Sequence, residues 1–387
     1  MYVQRTDGQS HRQYAKVSHF NCTHLRRQSF YALPQAQWQM LAAPPFNFLE
    51  TLDKVDDAIE SNAELARIIV QGGLQSFGVG VPGPGQELSL PVQWQGCAKY
   101  QDVDKARSTL RQFYRDWSAG GAEEREASYG PIMRALLAEK AAKGPGAERM
   151  KVLVPGAGLG RLVFDLCLNG FESEGNEISY HQLFASSYIL NNCKRAGQHK
   201  IYPWVHTFSN HLTRENHLRS YAVPDIHCAT ELAKKEDTGE MTMSAADFLC
   251  LYGDESHQDT YDAVASVFFL DTAPNLIRYL NTIFHCLKPG GVLVNLGPLL
   301  WHFENNAPGT HGYDGHEGNE GETETTGIAD PGSFELTDDE VMKLVEQTGF
   351  KIDSYQTGLP APYIRDTDSM LQNVYKASFW VARKPRV

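Results

Sequence analysis

The stretch KVLVPGAGLGRL, residues 151–162, decides the expected fold. A short apolar run, 151–154, ends in a glycine-rich turn, and residues 161–169 follow at helical spacing before Gly170, which is placed to end the helix. A strand, a glycine turn and a helix in this order open a doubly wound nucleotide-binding sheet. We therefore expect an α/β protein with a Rossmann-like sheet.

Strands and helices keep alternating towards the C-terminus, which predicts a parallel sheet. The predicted strands are Phe171–Glu177, Ile201–His206, Tyr261–Phe269 and Val292–Leu296. The predicted helices are Tyr180–Ala196, Asn275–Leu287 and Thr337–Thr348. Two final strands, Phe350–Tyr355 and Tyr375–Ala382, follow one another without a helix between them. They predict an antiparallel pair that closes the sheet.

The part of the chain before residue 146 has a different character. Apolar residues recur at three- and four-residue steps between 11 and 76, and further helices are expected over Ser108–Trp117 and Tyr129–Lys143. A Gly/Pro-rich segment, about 78–94, is expected to be a linker. We predict a helical N-terminal extension over 1–145 and an α/β domain that contains the doubly wound sheet over 146–387. Within that domain, the low-complexity segment of about 306–333 is expected to be a mobile loop.

The composition restricts the class of partner and the compartment. The 387 residues carry a net charge of -12, and no cluster of Lys and Arg is present, which argues against nucleic acid as a partner. The N-terminus lacks a signal-peptide pattern, and no apolar run approaches 20 residues, which argues against a membrane. We expect a protein of the cytoplasm, or of cytoplasm and nucleus.

The cysteines and histidines of the chain do not have the spacing of a metal site. The seven cysteines are scattered singly, without a C-x-x-C pair, and are expected to be reduced. His311 and His316 lie near acidic residues, but in a Gly/Glu-rich segment that offers no fixed geometry. We therefore predict no metal.

The glycine turn and a later acidic residue predict an adenosine ligand. Gly156, Gly158 and Gly160 have the spacing G-x-G-x-G, not the G-x-G-x-x-G of dinucleotide dehydrogenases, and no P-loop sequence is present. Glu177 comes 17 residues after Gly160, at the expected end of the second strand, where a carboxylate can accept both ribose hydroxyls. The alternative is a tight turn followed by an acid that starts a helix.

Two further features favour S-adenosylmethionine among adenosine ligands. Asp247 and Phe248, just ahead of the fourth predicted strand, are suited to the adenine amino group and ring. The Lys288–Gly291 turn before the fifth strand, together with the C-terminal strand pair, resembles class I S-adenosylmethionine-dependent methyltransferases. Methyl donation from a sulfonium needs positioning, but no metal or redox group.

Longer stretches make the resemblance more specific. They are Val154–Leu162, Gly175–Glu177, Leu190–Cys193, Tyr202–His206, Phe268–Ala273 and Asn295–Asn305, with Ser29–Pro34 and Gln112–Ser118 in the helical region. With these stretches the chain resembles the carnosine N-methyltransferase family, the N2227-like proteins, over nearly its whole length.

The resemblance implies a site for S-adenosylmethionine. The cofactor-binding residues that it implies are Gln112, Arg115, Gly156, Gly158, Glu177, Asp247 and Phe248, with Ser266 and Val267 at the end of the fourth strand. Gln112 and Arg115 stand at i and i+3, so one helix face can present both to a ligand. Without the resemblance, the pair would be read as a solvated helix face.

The resemblance also places Asp271, His302 and Tyr375 around the acceptor imidazole, as catalytic and substrate-binding residues. Read alone, the three would be a helix cap, a structural histidine and a strand tyrosine. The family pattern has a second tyrosine two residues before Tyr375, where this chain has Asn373. Asn373 therefore replaces an aromatic wall of the expected substrate site.

The implied reaction is methyl transfer from S-adenosylmethionine to the imidazole of carnosine or a related histidine dipeptide, which gives anserine from carnosine. One alternative is methylation of histidine within a protein. Another is a cofactor-binding interaction protein without catalysis, which the presence of Asp271, His302 and Tyr375 argues against. The methylated nitrogen and the oligomeric state, including a homodimer, are left open.

Overall fold

The computed structural model describes residues 13–76, 100–144, 146–306 and 332–386, with side chains from 104 onwards in the second range. The predicted linker, almost all of the predicted 306–333 loop, and both His311 and His316 lie outside these ranges. The predictions for them stay predictions.

The strands form one large sheet and one small ladder. In chain order they are β1 (Lys151–Pro155), β2 (Glu172–Glu177), β3 (His199–Ile201), β4 (Tyr221–Val223), β5 (Met241–Ala245), β6 (Tyr261–Val267), β7 (Leu287–Gly297), β8 (Lys351–Pro362) and β9 (Val374–Arg383). The seven-stranded sheet has the order β5-β2-β1-β6-β7-β9-β8. Its first five strands are parallel, and β9 is antiparallel to both β7 and β8. The predicted α/β fold with an antiparallel C-terminal strand pair is confirmed.

The helices account for most of the remaining described residues. The α-helices are Leu25–Tyr31, Gln35–Ala42, Phe48–Ser76, Tyr100–Trp117, Ala122–Lys143, Arg161–Leu168, Tyr180–Ser187, Arg214–His217, Cys228–Ala233, Phe248–Tyr252, Leu276–Cys286 and Asp338–Gln347. Two π-helical turns, Phe20–His24 and Tyr188–Asn192, adjoin them. Over the described ranges, none of these helices has the length and apolar character needed to cross a bilayer.

The core lies on both faces of the large sheet. In β1, Val152 and Val154 pack on one face, together with Ile132 and Leu136 of helix Ala122–Lys143. Leu153 points to the opposite face, which is covered by helices Leu276–Cys286 and Asp338–Gln347. Because side chains alternate along a strand, a strand covered on both faces is apolar at successive positions, as residues 152–154 of β1 are. This two-sided burial fixes the strand ends that carry the candidate site.

The chain divides into two compact units, and the division differs from a boundary at residue 145. The sheet unit contains Glu123–Ser179, Leu232–Tyr363 and Val374–Val387. The helical unit contains Met1–Ala122, Tyr180–Glu231 and Ile364–Asn373. Two interruptions of the sheet region therefore group with the N-terminal helices, whereas most of helix Ala122–Lys143 groups with the sheet.

Local packing explains this grouping. The helix after residue 122 has its apolar residues against the sheet, as described above. The Tyr180–Ser187 helix instead packs on the long Phe48–Ser76 helix, where a Cβ added to Gly73 would lie 2.5 Å from the ring of Phe184. A glycine permits that close approach because it has no Cβ.

One predicted strand is wrong, and two strands of the structure, β4 and β5, were not predicted. The residues predicted as strand Ile201–His206 contribute only Ile201 to β3, which pairs with β4 and not with the large sheet. The third parallel strand is β5, whose sequence MTMSA is half-buried at the sheet edge and has no apolar run. The predicted helix Tyr180–Ala196 is also shorter, because it passes into a π-helical turn that ends at Asn192.

The packing of helix Ala122–Lys143 on the sheet can be tested with two adjacent leucines. Leu136 is fully buried, whereas Leu137 is 40% exposed. Leu136→Ala should lower the free energy of unfolding by about 2–5 kcal/mol, since it leaves a cavity in the core. Leu137→Ala should change it by about 0.5 kcal/mol or less. Urea denaturation of both variants checks the prediction, and equal losses would contradict the packing.

Candidate active site

The predicted site residues of the sheet unit follow the carboxyl ends of five parallel strands. These ends meet at one edge of a doubly wound sheet, which is where such folds bind ligands. Gly156 and Gly158 follow β1, Glu177 ends β2, Asp247 and Phe248 follow β5, Asp271 follows β6, and His302 follows β7. The fold thus brings these residues to a common edge.

The glycine turn after β1 has a backbone that only glycine adopts readily. Gly156, Gly158 and Gly160 have φ angles of 65°, 57° and 76°, in the left-handed region. A Cβ at Gly156 would lie 2.7 Å from the ring of Phe269, so Gly156 is required for packing. A Cβ at Gly158 would meet no protein atom within 4 Å, so open space lies beside this residue.

Glu177 is held by backbone amides. It is 6% exposed, and one carboxylate oxygen accepts a hydrogen bond of 2.9 Å from the amide of Gly158. The other oxygen accepts from the amides of Ile178 and Ser179, at 2.9 and 2.8 Å. Burial raises the pKa of Glu177, although these hydrogen bonds oppose the shift. The carboxylate therefore joins the glycine turn to the end of β2, and its role towards ribose stays a prediction.

Asp247 and Phe248 stand at the start of a short helix. Asp247 lies two residues after the end of β5 and precedes this helix, not β6. It caps the helix, because one carboxylate oxygen accepts from the amides of Leu249 and Cys250 at 2.8 and 3.1 Å. Phe248 is 4% exposed and its ring is T-shaped to that of Phe269, with centroids 5.5 Å apart. The adenine contact predicted for both residues stays a prediction.

The end of β6 gives different positions to its two predicted residues. Ser266 is fully buried, and its hydroxyl donates to the side-chain oxygen of Asn295 at 2.8 Å. This hydroxyl thus joins β6 to β7, and the role of Ser266 towards the cofactor stays a prediction. Val267 is the last residue of β6 and is half-buried.

Asp271 and His302 are brought together by the backbone. Asp271 is 3% exposed, and its carboxylate accepts a hydrogen bond of 2.9 Å from the amide of Leu300. The amide of His302 donates to the backbone oxygen of Asp271 at 3.1 Å, while the imidazole of His302 is exposed. Burial raises the pKa of Asp271, and the hydrogen bond from Leu300 and the charge of His302 oppose the shift. The arrangement joins the segment that carries a buried carboxylate, through backbone hydrogen bonding, to the segment that carries the exposed His302.

Tyr375 belongs to an aromatic group whose other members the sequence analysis missed. The ring centroid of Tyr375 lies 6.2 Å from that of Phe268 and 6.4 Å from that of Tyr363, and the last two are 5.2 Å apart. Phe268 has φ 51°, which is unusual for a bulky residue and turns the chain at the end of β6. Tyr363 was missed because β8 was expected to end at Tyr355, seven residues before its actual end at Pro362.

Gln112, Arg115 and Asn373 belong to the helical unit. Gln112 is 7% exposed and accepts a hydrogen bond of 2.9 Å from Gln182. Arg115 makes a bidentate ion pair with Asp116, at 2.7 and 3.0 Å, and its side chain is 11% exposed. The alternative of a solvated helix face is therefore wrong for this pair. Asn373 is exposed and directly precedes β9.

The described residues contain no group of three or more His, Cys, Asp or Glu side chains arranged to hold a metal ion. Six cysteines in these ranges are free thiols, five of them buried.

The burial of Asp271 predicts a pH-dependent effect on stability. A carboxyl group whose pKa rises on folding binds its proton more tightly in the folded state, so its contribution to stability falls as the pH rises through the unfolded and then the folded pKa. Asp271→Asn removes this loss. The variant should therefore gain stability relative to the parent protein as the pH rises through the acid range.

Urea denaturation between about pH 4 and pH 8 measures this difference. Asp57→Asn, at an exposed position, controls for the loss of one negative charge. A variant that instead loses stability relative to the parent protein as the pH rises would contradict the burial of an ionised carboxylate.

Comparison with known proteins identifies the family. The family model described as carnosine N-methyltransferase matches residues 92–386. A carnosine N-methyltransferase of Schizosaccharomyces pombe is 34% identical over 87% of this chain and 83% of its own length. One from Rattus norvegicus is 32% identical over 97% of this chain and 84% of its own length.

A solved structure of a methyltransferase from Methanosarcina mazei aligns with 62% of this chain and 95% of its own, at 16% identity and a TM-score of 0.36. The order and directions of the seven strands identify the α/β fold. The family model covers the glycine turn, the Asp271–His302 pair and Tyr375, and the relatives match the chain on both sides of residue 145. The chain belongs to the carnosine N-methyltransferase family and is an N-methyltransferase.

Proposed function

We propose that the chain binds S-adenosylmethionine at the carboxyl edge of its sheet and methylates the imidazole of carnosine, which gives anserine. Membership of the family supports the substrate class. The observation that carries the proposal is the buried Asp271 carboxylate, fastened beside the exposed His302 at the end of β6. Such a pair suits an acceptor that carries an N–H group and becomes cationic.

The residues of the edge fit the cofactor. Gly158 leaves open space beside the turn, and Glu177, already directed to the amide of Gly158, would accept from the ribose hydroxyls. Asp247 and Phe248 would face the adenine, and Val267 would line the site. We keep Ser266 in the site by its backbone only, because its hydroxyl is engaged with Asn295.

The resemblance is the support for Gln112 and Arg115 as further cofactor residues. A guanidinium makes strong, geometrically specific hydrogen bonds to a carboxylate such as that of the methionine part of S-adenosylmethionine. The bidentate pair of Arg115 with Asp116 holds the guanidinium in a defined orientation. When bound, S-adenosylmethionine supplies an electrophilic methyl group on a sulfonium.

Before methylation, the enzyme has to select one tautomer of the acceptor imidazole, and it does not have to deprotonate an imidazolium. With a reference pKa near 6.5, about three quarters of imidazole is neutral at pH 7. One ring nitrogen then carries a proton and the other a lone pair. If Asp271 accepts the N–H, the other nitrogen is left as the nucleophile.

Asp271 would also stabilise the charge that develops on the ring. A methylated imidazole is a cation until its N–H proton leaves, and a carboxylate at that N–H lowers the energy of the cationic state. Burial disfavours the ionised carboxylate, and an N–H donor from the acceptor would favour it again. His302, held at the backbone of Asp271, would orient the carboxylate or take the proton onwards.

The aromatic group would hold the ring of the acceptor. Tyr375 would stack on the imidazole or form a hydrogen bond with it. Phe268 and Tyr363 supply two more rings, whose centroids lie 6.2 and 6.4 Å from the centroid of the Tyr375 ring. Aromatic contacts contribute about 0.5–1.5 kcal/mol beyond the buried area. We propose that Tyr363 provides the aromatic surface that Asn373 does not, and that Asn373 contacts the polar end of the substrate.

The cofactor site can be tested with two glycines of the same conformation. Gly158 and Gly144 have φ 57° and 82°, and at neither would a Cβ meet an atom within 4 Å. An alanine in the left-handed region costs about 1–2 kcal/mol, so Gly158→Ala and Gly144→Ala should lose similar stability. Only Gly158→Ala should weaken the binding of S-adenosylhomocysteine, by about tenfold or more, the equivalent of about 1.4 kcal/mol.

Calorimetry of both variants and the parent protein measures the affinity, and thermal unfolding measures the stability. Unchanged affinity in Gly158→Ala, with a stability loss matched by Gly144→Ala, would remove the glycine turn from the binding site.

Transfer to the imidazole is tested by Asp271→Asn with carnosine as acceptor. The variant should bind S-adenosylhomocysteine normally, while kcat falls by about 100- to 1000-fold, as when one electrostatic stabiliser of a transition state is removed. Asp57→Asn should retain the turnover of the parent protein. Near-normal turnover in Asp271→Asn would make Asp271 a structural residue.

A further inference from the structure

The helix Phe248–Tyr252, which begins directly after Asp247, is too short to keep its position by its own hydrogen bonds. It has five residues, whereas isolated helices shorter than about 12–15 residues are marginal in water. Its position therefore depends on contacts with the rest of the sheet unit. Two polar side chains of β2, the strand that pairs with β5, make such contacts at the two ends of this segment. They are Asn176 and Glu174.

Asn176 holds the residue that precedes Asp247. It is 2% exposed, and its side-chain nitrogen donates a hydrogen bond of 3.0 Å to the backbone oxygen of Ala246. Its own backbone oxygen accepts from the amide of Ala157, in the glycine turn, at 2.9 Å. One buried residue thus joins the start of the segment to the glycine turn.

Glu174 holds the other end of the segment. One carboxylate oxygen accepts from the hydroxyls of Ser244 and Tyr252, at 2.9 and 2.6 Å, and the other accepts from the hydroxyl of Tyr261 at 2.7 Å. Tyr252 is the last residue of the helix, whereas Tyr261 is the first residue of β6. Burial and the neighbouring Glu174 raise the pKa of both tyrosines, so both hydroxyls keep the proton that they donate. Glu174 therefore joins the end of the helix to β2.

The ring of Tyr252 extends this restraint to Phe248. Tyr252 is fully buried, and its ring centroid lies 5.4 Å from that of Phe248. The ring of Phe248 also lies 5.5 Å from those of Phe269 and Tyr279, centroid to centroid. Because protein interiors are close-packed, a shift of one ring displaces its neighbours. A shift of Tyr252 would therefore move Phe248 and the helix start that Asp247 caps.

We propose that Glu174 and Asn176 are positioning residues for recognition of the adenine ring. They would act through the segment that they hold, by keeping Asp247 and Phe248 in the arrangement that binds adenine. The inference rests on the proposed contact of these two residues with adenine. A site binds less tightly in proportion to the fraction of molecules in which its binding arrangement is absent. Loosening either end of the segment should therefore weaken binding of the cofactor.

The two tyrosines provide a matched pair of variants. Tyr252→Phe and Tyr261→Phe each remove one hydroxyl that donates to Glu174 and leave the ring in place. Only Tyr252 belongs to the segment that carries Asp247 and Phe248. Tyr252→Phe should weaken the binding of S-adenosylhomocysteine by about threefold to tenfold, as measured by calorimetry on the full chain. Tyr261→Phe should bind it as the parent protein does.

A second ligand shows whether the loss concerns adenine itself. S-inosylhomocysteine carries a carbonyl oxygen where adenine has its amino group, so it would present an acceptor to the Asp247 carboxylate. A site built to accept from an N–H group discriminates against an analogue that lacks it. The parent protein and Tyr261→Phe should therefore prefer S-adenosylhomocysteine. This preference should shrink in Tyr252→Phe, which a general loss of stability would not cause.

Hydrogen exchange tests the positioning in the protein without ligand. The amides of Leu249 and Cys250, which donate to Asp247, should exchange faster in Tyr252→Phe than in Tyr261→Phe, relative to the amides of β1. Asn176→Ala should have the same effect from the other end of the segment, and it replaces Tyr252→Phe if that variant fails to fold. Asn169→Ala is its control, because the Asn169 side chain also donates to a backbone oxygen, that of Asp165, at 2.7 Å.

Three results would overturn the inference. Exchange at Leu249 and Cys250 that is equal in the parent protein, Tyr252→Phe and Asn176→Ala would exclude the positioning role, whatever the ligand measurements show. Faster exchange with an unchanged preference for adenine would show that the segment moves without affecting recognition. Equal binding of the two nucleosides by the parent protein would instead refute the proposed adenine contact of Asp247, and the inference with it. The exchange measurement thus separates a failure of the positioning role from a failure of the proposed function.

Discussion

The geometry of the candidate active site depends on the hydrogen bonds that the Glu177 carboxylate accepts from backbone amides. Glu177 is 6% exposed and accepts from three backbone amides, one of them in the glycine turn after β1 and two just beyond the end of β2. The ends of β1 and β2, which are adjacent in the sheet, are thereby joined by one buried carboxylate. Gly156 adds a second constraint, because its missing Cβ lets the ring of Phe269 approach, and Phe269 in turn packs on Phe248. The turn, the end of β2 and the start of the helix after β5 are thus fixed relative to one another within the sheet unit.

A similar use of burial and backbone amides occurs at the end of β6. Asp271 is held by the amide of Leu300, and the amide of His302 bonds to the backbone of Asp271, so the segments after β6 and β7 are joined. Burial makes the ionised carboxylate less stable, which is the condition under which a bound N–H donor contributes most. The proposed chemistry follows from this: the chain need not create the nucleophile, only select a tautomer and stabilise a cation.

Much of the fold followed from the sequence, since β1, β6 and β7 each contain a buried apolar run, at 152–154, 263–265 and 292–294, and the helices between the strands have clear ends. The strand β5 did not, because MTMSA is a half-buried edge strand without an apolar run. Residues 201–206 were misread as a strand, although their apolar side chains belong to a small ladder and a turn. Glu177 could be named from its spacing after the glycine turn, whereas Asp271 could be named only from the family resemblance. The contact between Phe268 and Tyr363 could not, because it depends on the left-handed backbone of Phe268 and on the true length of β8.

The most direct test of the central claim, methyl transfer to the imidazole of carnosine, is to follow the methyl group itself. The full chain would be incubated with S-adenosylmethionine that carries carbon-13 in its methyl group. One incubation would contain carnosine as the acceptor, and a separate one would contain an extract of histidine-bearing proteins. The account predicts a labelled N-methyl signal on the carnosine imidazole by nuclear magnetic resonance, and the position of that signal identifies the nitrogen. Label that stays on the sulfonium, or that reaches only histidine within proteins, would contradict it.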